Sequence, residues 1–388
     1  MTRVSSIFSQ LLQLFPRGKF QQAIQEHQAE RHARGFSCWT QLVAMLFCHL
    51  GQAKSLREIC QGLMAMEGKL KHLGVERAPS KSTLAYANEH RPWELFRTVF
   101  GQLLSQCEEV ARGKKRFRFK NKLLSMDSTH IELCASMFDW AKYKRAKGAA
   151  KVHLILDNEG HLPHFAVITD GKKSDQAVAR SIVFEPGTIV VVDRGYVDYN
   201  WWQALTESGV FFVTRFKKDI QIEVLQERKV PQTRSILADQ VIRLRGEGSP
   251  KYAMHLRLIT KWDEKSQEII QFLTNQLEFG ATTIARIYQE RWQIEIFFKA
   301  LKQLLRVKTF VGTSANALQV QIWTALIGML IFKYLQLKAQ FGWSLSNLVA
   351  LLRQQLFVYR DLYRWIDVPF EAPPALAGIH DGQLALFV

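Results

Sequence analysis

Residues 188–196 read TIVVVDRGY, and this run limits the fold more than any other stretch of the chain. Ile189, Val190, Val191 and Val192 are consecutive β-branched apolar residues, whose stiff side chains favour strands over helices. A strand with one wet face alternates apolar and polar residues. A strand without alternation has to be covered on both faces. Covering both faces takes helices, so the run predicts a central strand of an α/β domain. Asp193 ends the run and Gly195 lets the chain turn. That puts a carboxylate beyond the carboxyl end of a buried strand, where open α/β sheets build their sites.

The flanking segments give the order of elements. NKLLSMDSTHIEL (121–133) reads as a strand, and KVHLILDNEGHLPHFAVITDG (151–171) as two strands around the turn DNEGH. SDQAVARSIV reads as a short helix, DYNWWQALTESG as a helix with Trp201 and Trp202 in the core, and VFFVTRF as a strand. Three strands, then helix, strand, helix, strand is the order of a ribonuclease-H-like α/β domain. Within 217–280, VIRLRG, YAMHLRLIT and EIIQFLTNQ alternate at period two and predict an antiparallel β insertion. The chain thus divides into an all-helical N-terminal domain (1–110), the first part of the catalytic domain (111–216), the insertion (217–280), a helical completion of the catalytic domain (281–340), and a C-terminal helical region and tail (341–388).

In the N-terminal part, VSSIFSQLLQLF is amphipathic and ends at Pro16, and Ser37 and Ser55 are placed to cap the next two helices. PSKSTLAYANEHR (79–91) reads as part of a helix-turn-helix with Lys81, Ser82, Thr83 and Tyr86 facing DNA, or as an ordinary bundle segment. RGKKRFRFKNK (112–122) reads as a charged edge strand that follows phosphates. Lys142, Lys144, Arg145, Lys147 and Lys151 suggest a phosphate-binding loop, as many basic loops in this chain would. The apolar run Ile322–Phe332 is too short to cross a membrane and reads as a core helix.

Charge narrows the partner. The 52 Lys and Arg outweigh 35 Asp and Glu, for a net charge of +17, which points to a polyanion such as nucleic acid. Hydrophobic residues make up 47% of the chain, enough for a large core. No long basic amphipathic helix marks a membrane-surface protein, and MTRVSSIFSQLLQLF carries no small-residue cleavage site. Cys38, Cys48, Cys60, Cys107 and Cys134 form no CxxC pair, which predicts reduced thiols in a cytoplasmic, nucleoid-associated protein. His161 and His164 lack partners at zinc-ligand spacing and read as turn and strand residues.

YQERWQIEIFFKALK (288–302) reads as a helix. At about 100° per residue, Tyr288, Arg291, Glu295 and Lys302 fall within an arc of roughly 60°. Trp292 and Lys299 flank that arc, and Ile287, Ile294, Phe297, Phe298, Leu301 and Leu305 fill the neighbouring apolar sector. Alone, Arg291 and Glu295 are an ordinary i,i+4 pair, and Asp at a strand end is often only a turn former. Together, Asp127, Asp193 and Glu295 make an all-oxygen donor set. Such a set suits hard divalent cations, and two cations can clamp the attacking and leaving oxygens of phosphoryl transfer.

MDSTH, VVVDRGY and the spacing Tyr288-x2-Arg291-x3-Glu295-x6-Lys302 resemble the signatures of DDE transposases of the insertion-sequence-four family. The acids are 66 (193 − 127) and 102 (295 − 193) residues apart, the long second gap matching that family's β insertion. The resemblance covers roughly 120–340 and implies a ribonuclease-H-like fold. It implies that Asp127, Asp193 and Glu295 hold two Mg²⁺ ions, with Mn²⁺ able to substitute. It implies nicking at the terminal inverted repeats, attack by the freed 3′-OH (through a hairpin in some relatives) and joining to target DNA, with a homodimer in the synaptic complex. It also implies that Tyr288, Arg291 and Lys302, with Lys299 beside them, contact the DNA backbone, and that Trp262 stacks on a flipped base or else packs between strands. The competing readings are a ribonuclease-H-like nuclease that does not join, and a DNA-binding regulator with a dead site.

Overall fold

A computed structural model of the chain describes residues 5–31, 33, 35–66, 68–114, 117–134, 142–144, 147–217, 219–230, 235–245, 254–305 and 312–370. The chain opens with helices α1 (Ile7–Leu12), α2 (Arg17–Glu26), α3 (Cys38–Leu50), α4 (Leu56–Met64), α5 (Lys81–His90) and α6 (Glu94–Ala111). Ser6, Ser37, Ser55 and Ser80 cap α1, α3, α4 and α5, each accepting from a backbone N–H three residues on. Those bonds satisfy donors that a helix start leaves free. There follow strands β1 (Leu123–Cys134), β2 (Lys142–Lys144), β3 (Lys147–Asp157) and β4 (Leu162–Asp170), then α7 (Asp175–Arg180), β5 (Ile189–Val191), α8 (Tyr199–Glu207) and β6 (Phe211–Arg215). This is the expected order with one short strand added.

The apolar run is covered on both sides. Leu124, Met126, Val190, Val192 and Phe212 pack on α8 through Trp201, Trp202 and Leu205. Leu123, Ile189, Val191 and Val213 face the other way, onto helix α9 (Ala281–Glu290) through Ile284 and Ile287. Alternation along each strand assigns the two sets to opposite faces.

Strands β7 (Ile222–Glu227), β8 (Ile236–Leu244), β9 (Leu256–Asp263) and β10 (Glu268–Thr274) form in the segment expected as an insertion. They are not a separate sheet. β10 pairs with β6, and the order runs β2-β3-β1-β5-β6-β10-β9-β8-β7, with β4 on β3. Left alone, β6 would expose a row of unpaired backbone groups, and β10 covers it.

After α9 come α10 (Trp292–Leu305), α11 (Ala315–Lys338), α12 (Leu345–Gln355) and α13 (Leu362–Asp367). α11 is long and apolar enough to cross a membrane, but 83% of its most apolar window is buried in protein. It is the core helix that Ile322–Phe332 predicted. One hydrophobic core around α11 takes in residues of α1, α3, α6, β3, β4, α10, α12 and α13. The N-terminal helices therefore share their core with the sheet and with α10, and the expected boundary at residue 110 falls within it. Ile7 and Phe8 donate from their backbone nitrogens to the carbonyls of Val358 and Leu356, fastening the two ends of the described chain.

Several local expectations change. Lys81–His90 form one helix, α5, which a long connection containing a 3₁₀ turn at Leu70–Leu73 separates from α4, while only residues 91–93 separate it from the long α6. Lys81, Ser82 and Tyr86 are exposed and Thr83 is half-buried. Residues 117–120 bend instead of forming an edge strand, because Phe117 stacks on Phe119 and Phe119 on Phe279, at 4.9 and 5.0 Å. Lys142, Lys144, Lys147 and Lys151 belong to the β2–β3 hairpin, with Arg145 outside the described residues, and Lys151 is buried. His161 lies in the turn before β4 and His164 within it. Cys38, Cys48, Cys60 and Cys107 are buried free thiols.

Candidate active site

Strand register brings the two aspartates together. The parallel pairing of β1 with β5 ends at Ser125 opposite Val191. Asp127 (125 + 2) and Asp193 (191 + 2) each lie two residues further on, so they stand level just past the end of the β1–β5 pairing, Asp127 inside the longer β1 and Asp193 beyond the end of β5. Strand neighbours are about 4.8 Å apart. Both carboxylates share the parity of Leu123 and Val191 and so point to the face covered by α9. Val191 in turn pairs with Val213 of β6, and Arg215 (213 + 2) extends the row. Arg215 has no counterpart among the sequence-derived candidates, although it is the last residue of β6.

The turns beyond the strands hold the carboxylates. Asp193 Oδ1 accepts from the Gly195 N–H at 2.8 Å and caps a 3₁₀ turn over Arg194–Tyr196. A Cβ at position 195 would sit 2.9 Å from that oxygen, so the close approach requires glycine. Asp127 Oδ1 accepts from the Ser128 N–H at 2.8 Å.

The third acid arrives on α10. The helix that 288–302 predicted is two helices that meet at Arg291. The bonds Arg291 N–H to Tyr288 O and Ile294 N–H to Arg291 O, at 3.1 and 3.2 Å, are i to i+3 and tighten the turn there. From this junction Arg291 reaches both sides of the site. Its Nη2 is 2.5 Å from Glu295 Oε1 and its Nη1 is 3.7 Å from Asp127 Oδ2. The half-buried Tyr288 ring packs on Phe272 of β10, with the Arg291 guanidinium 5.6 Å from its centre. Lys299 and Lys302 lie one and two turns beyond Glu295 and are exposed.

Trp262 is not brought to this site. Ile269, its pairing partner, and Trp262 itself share the parity of Leu273 and Leu258, which pack on the α8 face. Alternation therefore sends Trp262 to the side of the sheet away from the aspartates. The exposed aromatic beside the carboxylates is Trp292, one turn before Glu295 and 59% accessible.

A second polar cluster borders the first. Lys151 Nζ is 2.8 Å from Asp175 Oδ2, and His153 Nδ1 is 3.3 Å from Asp175 Oδ1. His153 Nε2 lies 3.0 Å from the Thr169 hydroxyl. Burial works to raise the Asp175 carboxyl, but His153, Lys151 and Ser128 hold it well below the usual carboxylate range. The buried Tyr196 phenol is raised by burial and by Asp175, Asp127 and Asp193, so it stays a neutral donor beside all three. None of these roles is visible locally, since Lys151, Asp175 and Tyr196 come from three separate elements.

Burial perturbs the Asp127 carboxylate. Burial pushes its carboxyl up to about 6. The Ser128 N–H and Arg291 pull it down, while Asp193 and Glu295 push it up. A folded-state value above the ordinary 3.8 means the folded protein holds the proton more tightly than the unfolded chain. The resulting stabilisation is full below about pH 4 and is lost as pH rises through about 6. In chelator-treated protein, the melting temperature of wild type relative to Asp127→Asn should fall between pH 4 and pH 7. Parallel curves for the two proteins would remove Asp127 from that role.

The donor set fits divalent cations in chemistry and charge: three carboxylates and no soft ligand. The spacing does not close around one ion, since among the described residues no three acidic, histidine or cysteine side chains do so. The ion pair with Arg291 holds Glu295 where it is.

Comparison with known proteins gives the family. Residues 118–331 match the family model described as transposase DDE domain, and residues 3–76 match a domain of unknown function, DUF4372. A Sinorhizobium fredii protein named as a transposase, y4zB, is 30% identical over 78% of this chain and 83% of its own. A Geobacillus stearothermophilus protein named as a transposase for insertion sequence element IS5377 is 28% identical over 68% and 70%. A Synechocystis protein named as a transposase for insertion sequence element IS4SA is 24% identical over 70% and 76%.

Proposed function

The chain belongs to the DDE transposase family, and from that premise we propose that it cuts and joins DNA at the ends of an insertion sequence, using Asp127, Asp193 and Glu295. The observation that carries the residue assignment is the register: two aspartates level on adjacent parallel strands, with Glu295 tied by Arg291 to the same aspartate. Domains of this family work with divalent metal ions, and in our reading Mg²⁺ serves here, held by the three carboxylates. When bound, the ions would supply Lewis-acid stabilisation of charge on the attacking and leaving oxygens.

The chain's own residues orient the phosphate. Arg291 offsets the charge of Asp127 and Glu295 and presents a guanidinium beside the reacting position. Arg215 adds a second cation at the end of the same row. Tyr288 supports Arg291 from below, and Lys299 and Lys302 extend positive charge along α10 toward the flanking backbone. In the first step a water oxygen bonds to phosphorus and the P–O3′ bond breaks, leaving a 3′-OH on the element. In the second, that 3′ oxygen bonds to a target phosphorus and displaces a 3′ oxygen there, so no outside energy source is consumed. The partners are double-stranded terminal repeats and target DNA, taken by a homodimer on paired ends.

Purified protein incubated with Mg²⁺ and a duplex carrying its own element's ends should release 3′-OH ends and join them to a target plasmid. Mn²⁺ should replace Mg²⁺, and EDTA should stop both steps. Cutting without joining would favour a nuclease, and tight binding without cutting would favour a regulator.

A further inference from the structure

α10 and α12 enclose an open groove of about 790 Å³ next to the carboxylate site. Lys302 and Gln303 of α10 line one wall, Arg353 and Gln354 of α12 the other, and Gln52 closes one side. Among the described residues, no carboxylate lines it. Arg353 stands exposed in the last turn of α12. Its Nη1 donates to Gln52 Oε1 at 2.6 Å, a neutral amide that leaves the guanidinium charge uncompensated. Cations flanked by amide donors suit phosphate oxygens, which accept from Arg, Lys and Gln alike. Lys302 follows Glu295 by seven residues, two helical turns or about 10 Å, so the groove begins where the α10 cations end.

We infer that this groove binds the backbone of duplex DNA flanking the scissile phosphate, with Arg353 opposite Lys302. α12 lies beyond residue 331, where the family match ends, so nothing in that match assigns it. The inference rests on the reading of α10 as the DNA-facing helix, and its test separates the two.

A generic 30-base-pair duplex, titrated by fluorescence anisotropy in EDTA across a KCl series, gives the slope of log affinity against log salt. Arg353→Gln should reduce the magnitude of that slope by about 0.9, one phosphate contact, and weaken binding about tenfold. Arg353→Lys should keep the slope, which a merely structural role for the guanidinium fork would not predict. Gln52→Asn should also keep it, since that change removes the internal partner and leaves the charge. Asn is chosen because Gln52 has a φ of 56°, which Asn tolerates. A slope unchanged in Arg353→Gln but reduced in Lys302→Gln would overturn the groove and leave α10 standing. A slope unchanged in both would overturn the groove and the DNA-facing role of Lys302 together.

Discussion

Glu295→Gln is expected to lower end cleavage and strand joining by roughly a thousandfold or more while leaving DNA binding within about twofold. The amide keeps the shape of the side chain and still offers an oxygen to Arg291, which now lies 2.5 Å from Glu295 Oε1. The fold should therefore hold, because a partly exposed ion pair contributes less than about 1 kcal/mol. What the variant loses is a negative oxygen donor. An amide oxygen is a poor substitute where a hard cation must be held and charge on a transferring phosphoryl group offset. Joining is best measured with pre-cut ends, so that a defect in the first step does not hide the second. Wild-type turnover by the variant would remove Glu295 from the chemistry. Loss of binding together with cutting would instead make it a DNA-positioning residue.

The largest loss of stability should come from a site far from the carboxylates. Asp239→Ala is expected to cost about 3–5 kcal/mol. Asp239 of β8 and Arg257 of β9 are 2% and 1% exposed. They meet in a two-pronged bond, Nε to Oδ1 at 2.7 Å and Nη2 to Oδ2 at 2.6 Å. Removing the carboxylate leaves a guanidinium buried without its counter-charge, which is costlier than the pair itself is stabilising. Arg257 also donates to the Phe279 carbonyl, just before Gly280 caps α9. The pair thus ties the β8–β9 strands to the start of the helix that carries Tyr288. Urea unfolding would show the loss as a lower midpoint. A change below about 1 kcal/mol would mean that water reaches Arg257 and takes the place of the carboxylate. Replacing both partners by apolar residues, Asp239→Leu with Arg257→Met, should recover most of the stability, since the desolvation cost leaves with the charges.

How much of this was legible beforehand depends on the range over which each signal acts. TIVVVDRGY announced a doubly covered strand, because its lack of alternation can be met only by burial on both faces, and that is where Ile189 to Val192 lie. Ser6, Ser37, Ser55 and Ser80 cap helices because the donor they satisfy is three residues away in the same chain. The Arg291–Glu295 pair follows from helical spacing alone. By contrast, residues 117–120 carried a strand-like alternation that packing overrode through a Phe117–Phe119–Phe279 stack. Trp262 looked available because nothing in its own neighbourhood says which face of the sheet it takes. Parity there is set by Leu256 and Leu258 packing toward α8.

By itself the sequence determined the helical and strand periods, the double burial of β5, the basic charge, and the identity and spacing of the acids that resemble a DDE transposase. Those are properties of neighbouring residues, written in periods of two and 3.6. Tertiary structure alone decided that Asp127 stands level with Asp193, that Arg215 extends their row, that β10 joins β6 to make one sheet, and that Arg291 bridges Glu295 to Asp127 from a break between two helices. Each depends on which strand pairs with which and in what register. Register between strands distant in the chain is fixed by the packing of whole faces, which no short window of sequence contains.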